Sequence, residues 1–300
     1  MTAPPPAAGP PAGQTPAAVP QAAVPPLVGA DWLAARLGRP GLVVLDAGVG
    51  AHRHPPVRIP GARAFDLDGA LSDHASPLPH TLPSPADLQR ELRALGVDDR
   101  STVVVYDGAG VYSAPRAWWM LRAAGLDRAA VLDGGLPAWR AAGHPVDAGP
   151  PASPADGLPA GDVTVRPRPG LFADRDAVAA ALADPGTAVL DARARDRYTG
   201  AAPEPRPHLR RGHLPGSTSL PFTELLTPDG RYLPAPELRA RLAAATAGRP
   251  RLIASCGSGV TACVLAFAAH LTGHPSPAVY DGSWSDWGRP GTGLPVATGD

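Results

Sequence analysis

Residues 251–263 have the sequence Arg-Leu-Ile-Ala-Ser-Cys-Gly-Ser-Gly-Val-Thr-Ala-Cys, in which Cys256 separates an apolar run from a helix-forming run. The pattern predicts a buried strand that ends near Ala254 and a helix from Thr261 to Leu271, so Cys256 lies on the turn between them. The positive end of the following helix favours a thiolate over a thiol. We therefore predict that Cys256 is a catalytic nucleophile.

Glycines at positions 257 and 259 form this turn. Glycine adopts backbone angles closed to other residues, so we expect successive N–H groups from Gly257 to Thr261 to converge near the sulfur. Such a cradle lowers the pKa of a thiol and stabilises added negative charge. A cysteine in an apolar segment is ordinarily a packing residue, and the strand, glycine turn and helix favour the catalytic interpretation here.

The same plan occurs twice in the chain. Four motifs recur in the same order, at 42–48 and 188–193, 58–62 and 213–217, 102–114 and 251–263, and 131–139 and 279–287. Four ordered matches indicate an internal duplication. Short apolar strands alternate with helical stretches at 86–95, 114–124 and 236–247, which predicts an α/β fold of two tandem domains, each a mostly parallel sheet flanked by helices.

Composition divides the chain into four segments. Residues 1–26 are rich in Pro and Ala and contain no Lys or Arg, which predicts a disordered tail without a targeting signal. A second Pro/Ala/Gly-rich stretch predicts a linker at 148–165. The remaining segments are a predicted first domain at 27–147 and a predicted second, catalytic domain at 166–300.

Composition also excludes several classes of protein. The chain has 300 residues with 27 basic and 27 acidic side chains, for a formal net charge of +0. The chain has no excess of basic residues that would indicate binding to nucleic acid or to an anionic membrane. No apolar stretch reaches the length of a membrane span. The two cysteines exclude a disulfide framework and a Cys-x-x-Cys zinc site. We therefore expect a small-molecule substrate and a reducing, cytoplasmic location.

The first copy of the loop has Asp107 where the second has Cys256. A carboxylate can occupy a cradle of N–H groups, but it cannot act as a soft sulfur nucleophile. We therefore predict that the first domain is catalytically silent, packs against the second and supplies one wall of a cleft between them.

Over about residues 27–297 the chain resembles the two-domain sulfurtransferases of the rhodanese superfamily, most closely those that use 3-mercaptopyruvate. The resemblance rests on the Cys256 loop and on the motifs at 191–198, 203–206, 212–216 and 281–284. It implies double displacement, in which the thiolate takes a sulfane sulfur from a donor and becomes a persulfide. The sulfur then passes to a small thiol, a thioredoxin or cyanide, and no metal or organic cofactor is needed.

The resemblance assigns roles to the residues around the cysteine. Ser258 and Thr261 are the expected catalytic hydroxyls, and Thr261 is equally a candidate helix cap. Arg197 and Arg206 match the substrate-binding pair of the family, and two guanidinium groups can bind the carboxylate and keto oxygen of a 2-oxo acid with fixed orientation. The expected substrate site also includes the loop residues Gly257, Gly259 and Val260.

The residues that follow the cysteine bear on the sulfur donor. Thiosulfate-preferring members of the family typically carry Arg and Lys there, whereas this chain has Gly257 and Ser258. An uncharged loop suits 3-mercaptopyruvate, and Arg206 matches a position at which thiosulfate enzymes often lack an arginine. Thiosulfate remains the alternative donor. The alternative interpretation of Arg206, with Arg210 and Arg211, is a solvated basic stretch.

Three further residues have stated expectations. Arg58 occupies a position where mercaptopyruvate enzymes commonly have a His near the site, so we expect this chain to do without that His or to use water. His213, in the second copy, is expected to be structural because a Pro-Gly turn follows it. Cys263 is expected two turns into the helix, about 10 Å beyond Cys256, as a core residue.

Two other classes of protein share parts of this pattern. Cysteine phosphatases also place a cysteine before a helix N-terminus, but they need an Arg six residues later, where this chain has Ala262. Non-catalytic modules of the same superfamily have lost the cysteine, which this chain retains. We therefore favour a sulfur-transfer enzyme over both.

Overall fold

The computed structural model describes residues 24–275 and 277–300. The strands of the first half are β1 Leu27–Val28, β2 Leu42–Asp46, β3 Val57–Arg58, β4 Arg63–Ala64, β5 Thr102–Tyr106, β6 Ala129–Leu132 and β7 Asp147–Ala148. The strands of the second half are β8 Phe172–Ala173, β9 Thr187–Asp191, β10 Thr218–Ser219, β11 Arg251–Ser255 and β12 Pro277–Tyr280.

Each half contains a five-stranded sheet in which every pairing is parallel. The order is β1-β6-β5-β2-β4 in the first sheet and β8-β12-β11-β9-β10 in the second. The two orders correspond strand for strand, so the predicted duplication and the predicted fold class are both confirmed. Strands β3 and β7 form a separate antiparallel pair.

Helices cover the faces of both sheets. Those of the first half are α1 Ala30–Ala34, α2 Pro85–Ala94, α3 Ala114–Ala123 and α4 Gly135–Ala141, and those of the second are α5 Arg175–Leu182, α6 Arg195–Thr199, α7 Ala235–Thr246, α8 Ala262–Leu271 and α9 Ser283–Trp287. Short 3₁₀ turns occur at Gly50–His52, Pro154–Asp156 and Phe222–Leu225. The helices predicted at 86–95, 114–124 and 236–247 are observed within one residue of those bounds.

The central strands are apolar at successive positions because helices cover both faces of each sheet. In β5, residues 103–105 are all fully buried valines. Helices α3 and α8, which follow the two copies of the loop, pack against each other where the halves meet. The rings of Trp118 and Phe267 lie edge to face there, with centroids 4.6 Å apart. The two halves therefore share one apolar core across their contact.

Each half also extends a segment over the loop of the other half. The segment between β4 and α2 covers the Cys256 loop, and the segment between β10 and α7 covers the Asp107 loop. At the second contact, a Cβ added to Gly110 would lie 3.3 Å from the carbonyl oxygen of Gly230. The two loops are thus each closed by the opposite half.

The tail predicted at 1–26 falls mainly outside the described residues. Near its end, the Pro26 carbonyl accepts a hydrogen bond from the N–H of Val131, so the chain is already held to the sheet edge there. Within residues 24–275 and 277–300, no helix is both long and apolar enough to cross a membrane.

The predicted linker at 148–165 follows the surface of the first half. Ala148 belongs to β7, and the N–H of Val163 donates to the Val97 carbonyl at 3.1 Å. Val163 is fully buried. The proline-rich stretch is therefore packed against the first half for much of its length, and the boundaries at 147 and 166 stay a prediction.

Candidate active site

Cys256 lies between the two halves, in the lining of a cavity of about 680 Å³. It directly follows β11 and stands shortly before α8, as predicted, and only 2% of its surface is exposed. The first half lines the cavity with residues between Leu67 and His80 and with Tyr112. The prediction that the first half supplies one wall of the cleft is confirmed.

Ser283 holds the Cys256 loop from behind. Its hydroxyl oxygen accepts the N–H groups of Cys256 and Gly259, each at 3.1 Å, and donates to the Tyr280 carbonyl at 2.8 Å. The expectation that every N–H of the turn converges near the sulfur is therefore wrong for Gly259. The Ser283 hydroxyl instead fixes the curvature of the loop.

The first copy of the loop shows how such a turn binds an acceptor group. The buried carboxylate of Asp107 accepts four backbone N–H groups at 2.8–3.0 Å, those of Ala109, Tyr112, Ser113 and Ala114. Burial raises the pKa of Asp107, and these four hydrogen bonds oppose that rise. The matching groups of the second copy include the N–H of Ser258 and of Thr261, which donate to no protein acceptor in the described part of the chain.

The two loop glycines are needed for different reasons. Gly259 has a left-handed φ of +76°, and a Cβ there would lie 2.7 Å from the carbonyl oxygen of Asp281. Gly257 is not left-handed, so the expectation of special backbone angles is wrong at that position. A Cβ at 257 would instead lie 3.2 Å from Nη2 of Arg197. Gly257 therefore makes room for a guanidinium group above the loop.

Ser258 is the first member of a hydrogen-bonded chain that crosses between the halves. Its Oγ lies 2.8 Å from Nδ1 of His80, and Nε2 of His80 lies 2.8 Å from Oδ1 of Asp68. The other Asp68 oxygen accepts the N–H of Gly50 at 2.7 Å. His80 itself has a φ of +62°, which is rare for a residue with a side chain.

The surroundings of this chain determine its protonation. Burial lowers the pKa of His80, and the charges of Arg206 and Arg116 lower it further, against the opposing effect of Asp68. The pKa of Asp68 is also low, because the hydrogen bonds from Gly50 and His80 outweigh the effect of burial. An ionised carboxylate only accepts, so Nε2 of a neutral His80 carries the proton and Nδ1 accepts the hydroxyl proton of Ser258.

The two expected arginines lie together over the loop. Nε and Nη2 of Arg197 donate to the buried carboxylate of Glu204 at 3.2 and 2.6 Å, and Arg193 donates to the same carboxylate at 2.8 Å. Nη2 of Arg206 donates to Oγ of Ser258 at 3.3 Å. The cavity therefore contains two guanidinium groups beside the cysteine, one of them held by a fixed anion.

The neighbouring arginines have other environments. Arg210 donates to the carbonyls of Trp287, Gly288 and Leu294 and so anchors the C-terminal segment. Arg211 is exposed. The interpretation of Arg206 as part of a solvated basic stretch is therefore wrong, because Arg206 lines the cavity and contacts Ser258.

Thr261 and Val260 also line the cavity. Thr261 occupies the N-cap position of α8 but makes no capping hydrogen bond, so its hydroxyl is not used as a cap. Because α8 begins at Ala262, the placement of Cys263 two turns along the helix is wrong. Cys263 lies in the first turn, where its Sγ donates to the Gly259 carbonyl at 3.2 Å and burial raises its pKa to about 12. It is fully buried, as expected of a core residue.

Arg58 and His213 are both structural. Arg58 donates to the carbonyls of Ala148 and Pro150 and does not line the cavity. The expectation that this chain lacks a His near the site is wrong, because His80 reaches the loop from another part of the first half. Nδ1 of His213 donates to the Tyr198 carbonyl at 2.9 Å, and its ring stacks on the Tyr198 ring, as expected of a structural residue.

Comparison with known proteins identifies the family of this fold. A model of the rhodanese-like domain matches residues 29–142 and 174–289. The chain belongs to the rhodanese family. It is 43% identical over 291 residues to a probable 3-mercaptopyruvate sulfurtransferase of Pseudomonas aeruginosa, covering 91% of this chain and 98% of the relative. It is 40% identical over 287 residues to the mitochondrial thiosulfate/3-mercaptopyruvate sulfurtransferase 1 of Arabidopsis thaliana, covering 87% and 76%.

A solved rhodanese structure has the same arrangement. The crystal structure of SseA from Escherichia coli, described with the fold and mechanism of 3-mercaptopyruvate sulfotransferases, superposes with a TM-score of 0.75 at 36% identity and covers 87% of this chain and 99% of its own. The predicted class of enzyme, a sulfurtransferase with tandem rhodanese domains, is confirmed by these relatives.

The sequence analysis missed two residues of this rhodanese site, His80 and Asp68. Both belong to the domain that was expected to be silent, in the segment between β4 and α2. Neither residue belongs to one of the repeated motifs, so the duplication did not single them out. The first rhodanese domain therefore has Asp107 in place of the cysteine and contributes side chains to the cavity.

Proposed function

We propose that this chain transfers a sulfane sulfur from 3-mercaptopyruvate to an acceptor through a persulfide on Cys256. The observation that carries the proposal is the pair Arg197 and Arg206 above an uncharged Gly257-Ser258 turn, beside the cysteine. A compact dianion would favour cations within the loop itself, whereas two guanidinium groups to one side of the sulfur suit the carboxylate and keto oxygen of a 2-oxo acid.

Sulfur transfer requires both a nucleophile and a proton carrier. Ser258 passes the proton of the Cys256 thiol to Nδ1 of His80, and the thiolate attacks the sulfur of the donor. The new S–S bond forms as the C–S bond breaks, and its electron pair passes to C3 of the pyruvate enolate. The donor sulfur keeps its own thiol proton, and His80 returns the proton taken from Cys256 through Ser258 to that carbon, so the products are pyruvate and the Cys256 persulfide in its S–SH form.

The remaining site residues hold charge in place. The unpartnered N–H groups of Ser258 and Thr261 face the position that Asp107 fills with a carboxylate in the silent copy, which supports a role in holding the outer sulfur as an anion. Val260 and the glycines shape the turn around it. The outer sulfur gives its proton to His80 through Ser258 and is then attacked as an anion by an acceptor thiolate or cyanide. Cys256 leaves as a thiolate and recovers that proton from His80, which restores the thiol.

Thiosulfate is the second candidate donor. The relative from Arabidopsis thaliana has a name that includes both donors. The same two guanidinium groups could bind the dianion, and the same persulfide would form, with sulfite as the leaving group. Among acceptors, a thioredoxin would need to reach Cys256 through the cavity between the domains. The thiolate chemistry needs a reducing compartment, which supports the prediction of a cytoplasmic location.

The test is steady-state transfer to cyanide with 3-mercaptopyruvate and with thiosulfate, measured side by side. We expect the wild-type kcat/KM to be higher with 3-mercaptopyruvate. Arg206→Met should lower kcat/KM for 3-mercaptopyruvate about 100-fold, mainly through KM, and thiosulfate transfer much less. Arg211→Met is the matched control, because Arg211 is exposed in the same segment, and it should leave both donors unchanged. A thiosulfate preference, or an equal loss with both donors in Arg206→Met, would refute the assignment of the donor.

A further inference from the structure

Arg116 is a fully buried arginine at the contact between the two halves. It belongs to α3 of the first half and does not line the cavity. Its Nη2 donates to the carbonyl of His80 at 2.5 Å and to Oδ1 of Asp281, in the second half, at 2.6 Å. One guanidinium group therefore joins the main chain of His80 to the opposite domain.

Asp281 also binds the main chain two residues after His80. Its Oδ2 accepts the N–H of Leu82 at 2.8 Å, so the Arg116–Asp281 pair holds the chain on both sides of residue 81. His80 lies at one end of this grip in a left-handed conformation. Such a conformation persists only where the surrounding structure imposes it, and here that conformation directs Nδ1 to Ser258.

The duplicated half provides an internal comparison. Asp133, which matches Asp281 in the repeated motif, accepts the N–H of Tyr232 at 2.9 Å in the segment that covers the Asp107 loop. The position in α8 that matches Arg116 is Leu265. A hydrogen bond from the segment that covers the loop to an aspartate therefore occurs at both loops, to Asp281 at the Cys256 loop and to Asp133 at the Asp107 loop. The arginine occurs only at the Cys256 loop.

Arg116 also contributes charge close to the loop. Its Nη1 would lie 3.2 Å from a Cβ at Gly259, and the guanidinium also interacts with the buried thiol of Cys263. Four groups face the His80 side chain or act on its charge, namely Asp68, Ser258, Arg206 and Arg116. Of the two cations, Arg116 alone also fixes the main chain of His80.

We propose that Arg116 is a positioning residue, which through Asp281 fixes His80 in the conformation that contacts Ser258. The proposal rests on the proposed function, because it assigns His80 the proton transfer described above. Arg116 itself touches neither the donor nor the sulfur. Its loss should therefore reduce the rate of transfer while leaving donor binding intact.

The experiment compares Arg116→Met with Arg116→Lys and with Asp133→Asn. Arg116→Met should lower kcat about 10- to 100-fold with KM for 3-mercaptopyruvate within about threefold of wild type. The acid limb of the kcat/KM profile should move to higher pH, because a cation that disfavours protonation of His80 is gone. Arg116→Lys keeps the charge and should restore the acid limb and part of kcat. Asp133→Asn cuts the matching bond on the silent side and should leave kcat and the acid limb unchanged.

A second variant keeps the proposal testable if Arg116→Met does not fold. Asp281→Asn retains the guanidinium and nearly the same volume but weakens the bridge, so kcat should fall while the acid limb does not move upward. A well-folded Arg116→Met with kcat within about threefold of wild type and an unmoved acid limb would overturn the proposal. So would a loss of kcat in Asp133→Asn as large as that in Arg116→Met.

A measurement without any donor separates this proposal from the proposed function. The imidazole ¹⁵N NMR signals of His80, assigned by their absence in His80→Asn, should show one tautomer, with the proton on Nε2, in the wild type and a mixture of both tautomers in Arg116→Met. If the wild type transfers sulfur from neither donor, the proposed function fails, and this measurement still decides whether Arg116 fixes His80. The same single tautomer in a folded Arg116→Met would refute the positioning role.

Discussion

Asp46→Asn should change how the free energy of unfolding depends on pH. Asp46 ends β2 and is 3% exposed, and its carboxyl group accepts the N–H of Gly48 at 2.9 Å and interacts with the Tyr106 hydroxyl. Burial raises the pKa of Asp46 to about 6. Its counterpart Asp191 ends β9 and pairs with the buried guanidinium of Arg193 at 2.6 Å. The first half has Gly48 in place of that arginine.

The magnitude follows from the raised pKa. Each unit of pKa corresponds to about 1.4 kcal/mol, so ionised Asp46 costs the folded state about 3 kcal/mol relative to the unfolded chain. The folded state binds the extra proton between about pH 6 and pH 4, so wild-type stability from this group rises as the pH falls through that window. At pH 4.5, protonation of Asp46 has removed about 2 kcal/mol of this cost of about 3 kcal/mol. The asparagine cannot titrate, and any cost of its amide is the same at every pH.

The assay is urea unfolding followed by tryptophan fluorescence at several pH values from 7.5 to 4.5. As the pH falls over this range, the free energy of unfolding of the wild type should rise by about 2 kcal/mol relative to that of Asp46→Asn. Asp191→Asn is the matched control, and at pH 7.5 it should lose about 3–5 kcal/mol because it leaves Arg193 without its closest anion. A difference between wild type and Asp46→Asn that does not change with pH would refute the reasoning.

Further predictions concern the nucleophile and its proton carrier. Cys256→Ser should form no persulfide, which mass spectrometry would detect as the gain of one sulfur after incubation with the donor. Cys263→Ser should keep most of the activity. Equal losses of activity in the two variants would overturn the choice of nucleophile. The wild-type kcat/KM should fall as the pH drops below the pKa of His80, which burial places under its ordinary value of about 6.5, because the protonated ring cannot accept from Ser258. His80→Asn should remove that acid limb and lower kcat/KM about 10²- to 10⁴-fold, and an unaltered limb in this variant would assign it to another group.

Most of the fold could be predicted because the signals are local. Buried parallel strands are apolar at successive positions, and the helices that follow them have the matching composition, so the three helices were located within one residue. The start of α8 was misplaced by only one residue, but Cys263 was placed two turns into the helix and lies in its first turn.

The candidate site was predicted only in the half that carries the cysteine. Cys256, Ser258, Arg197 and Arg206 lie in recognisable motifs, and the structure brings them to one cavity. His80 could not be found in the same way, because it lies in an irregular segment and reaches Ser258 across 178 positions of sequence. Its orientation depends on a left-handed main chain held from the opposite domain, and no local pattern encodes that contact.

The crossed covering segments have a consequence for the history of this chain. If the nucleophile and its proton carrier had remained in one half, the ancestral single domain could still be cut free and act alone. Here the half that carries Cys256 takes its proposed proton carrier, His80, from the other half. A separated second half would lose both that imidazole and its part of the apolar core that the halves share, so the two copies can no longer act as independent domains.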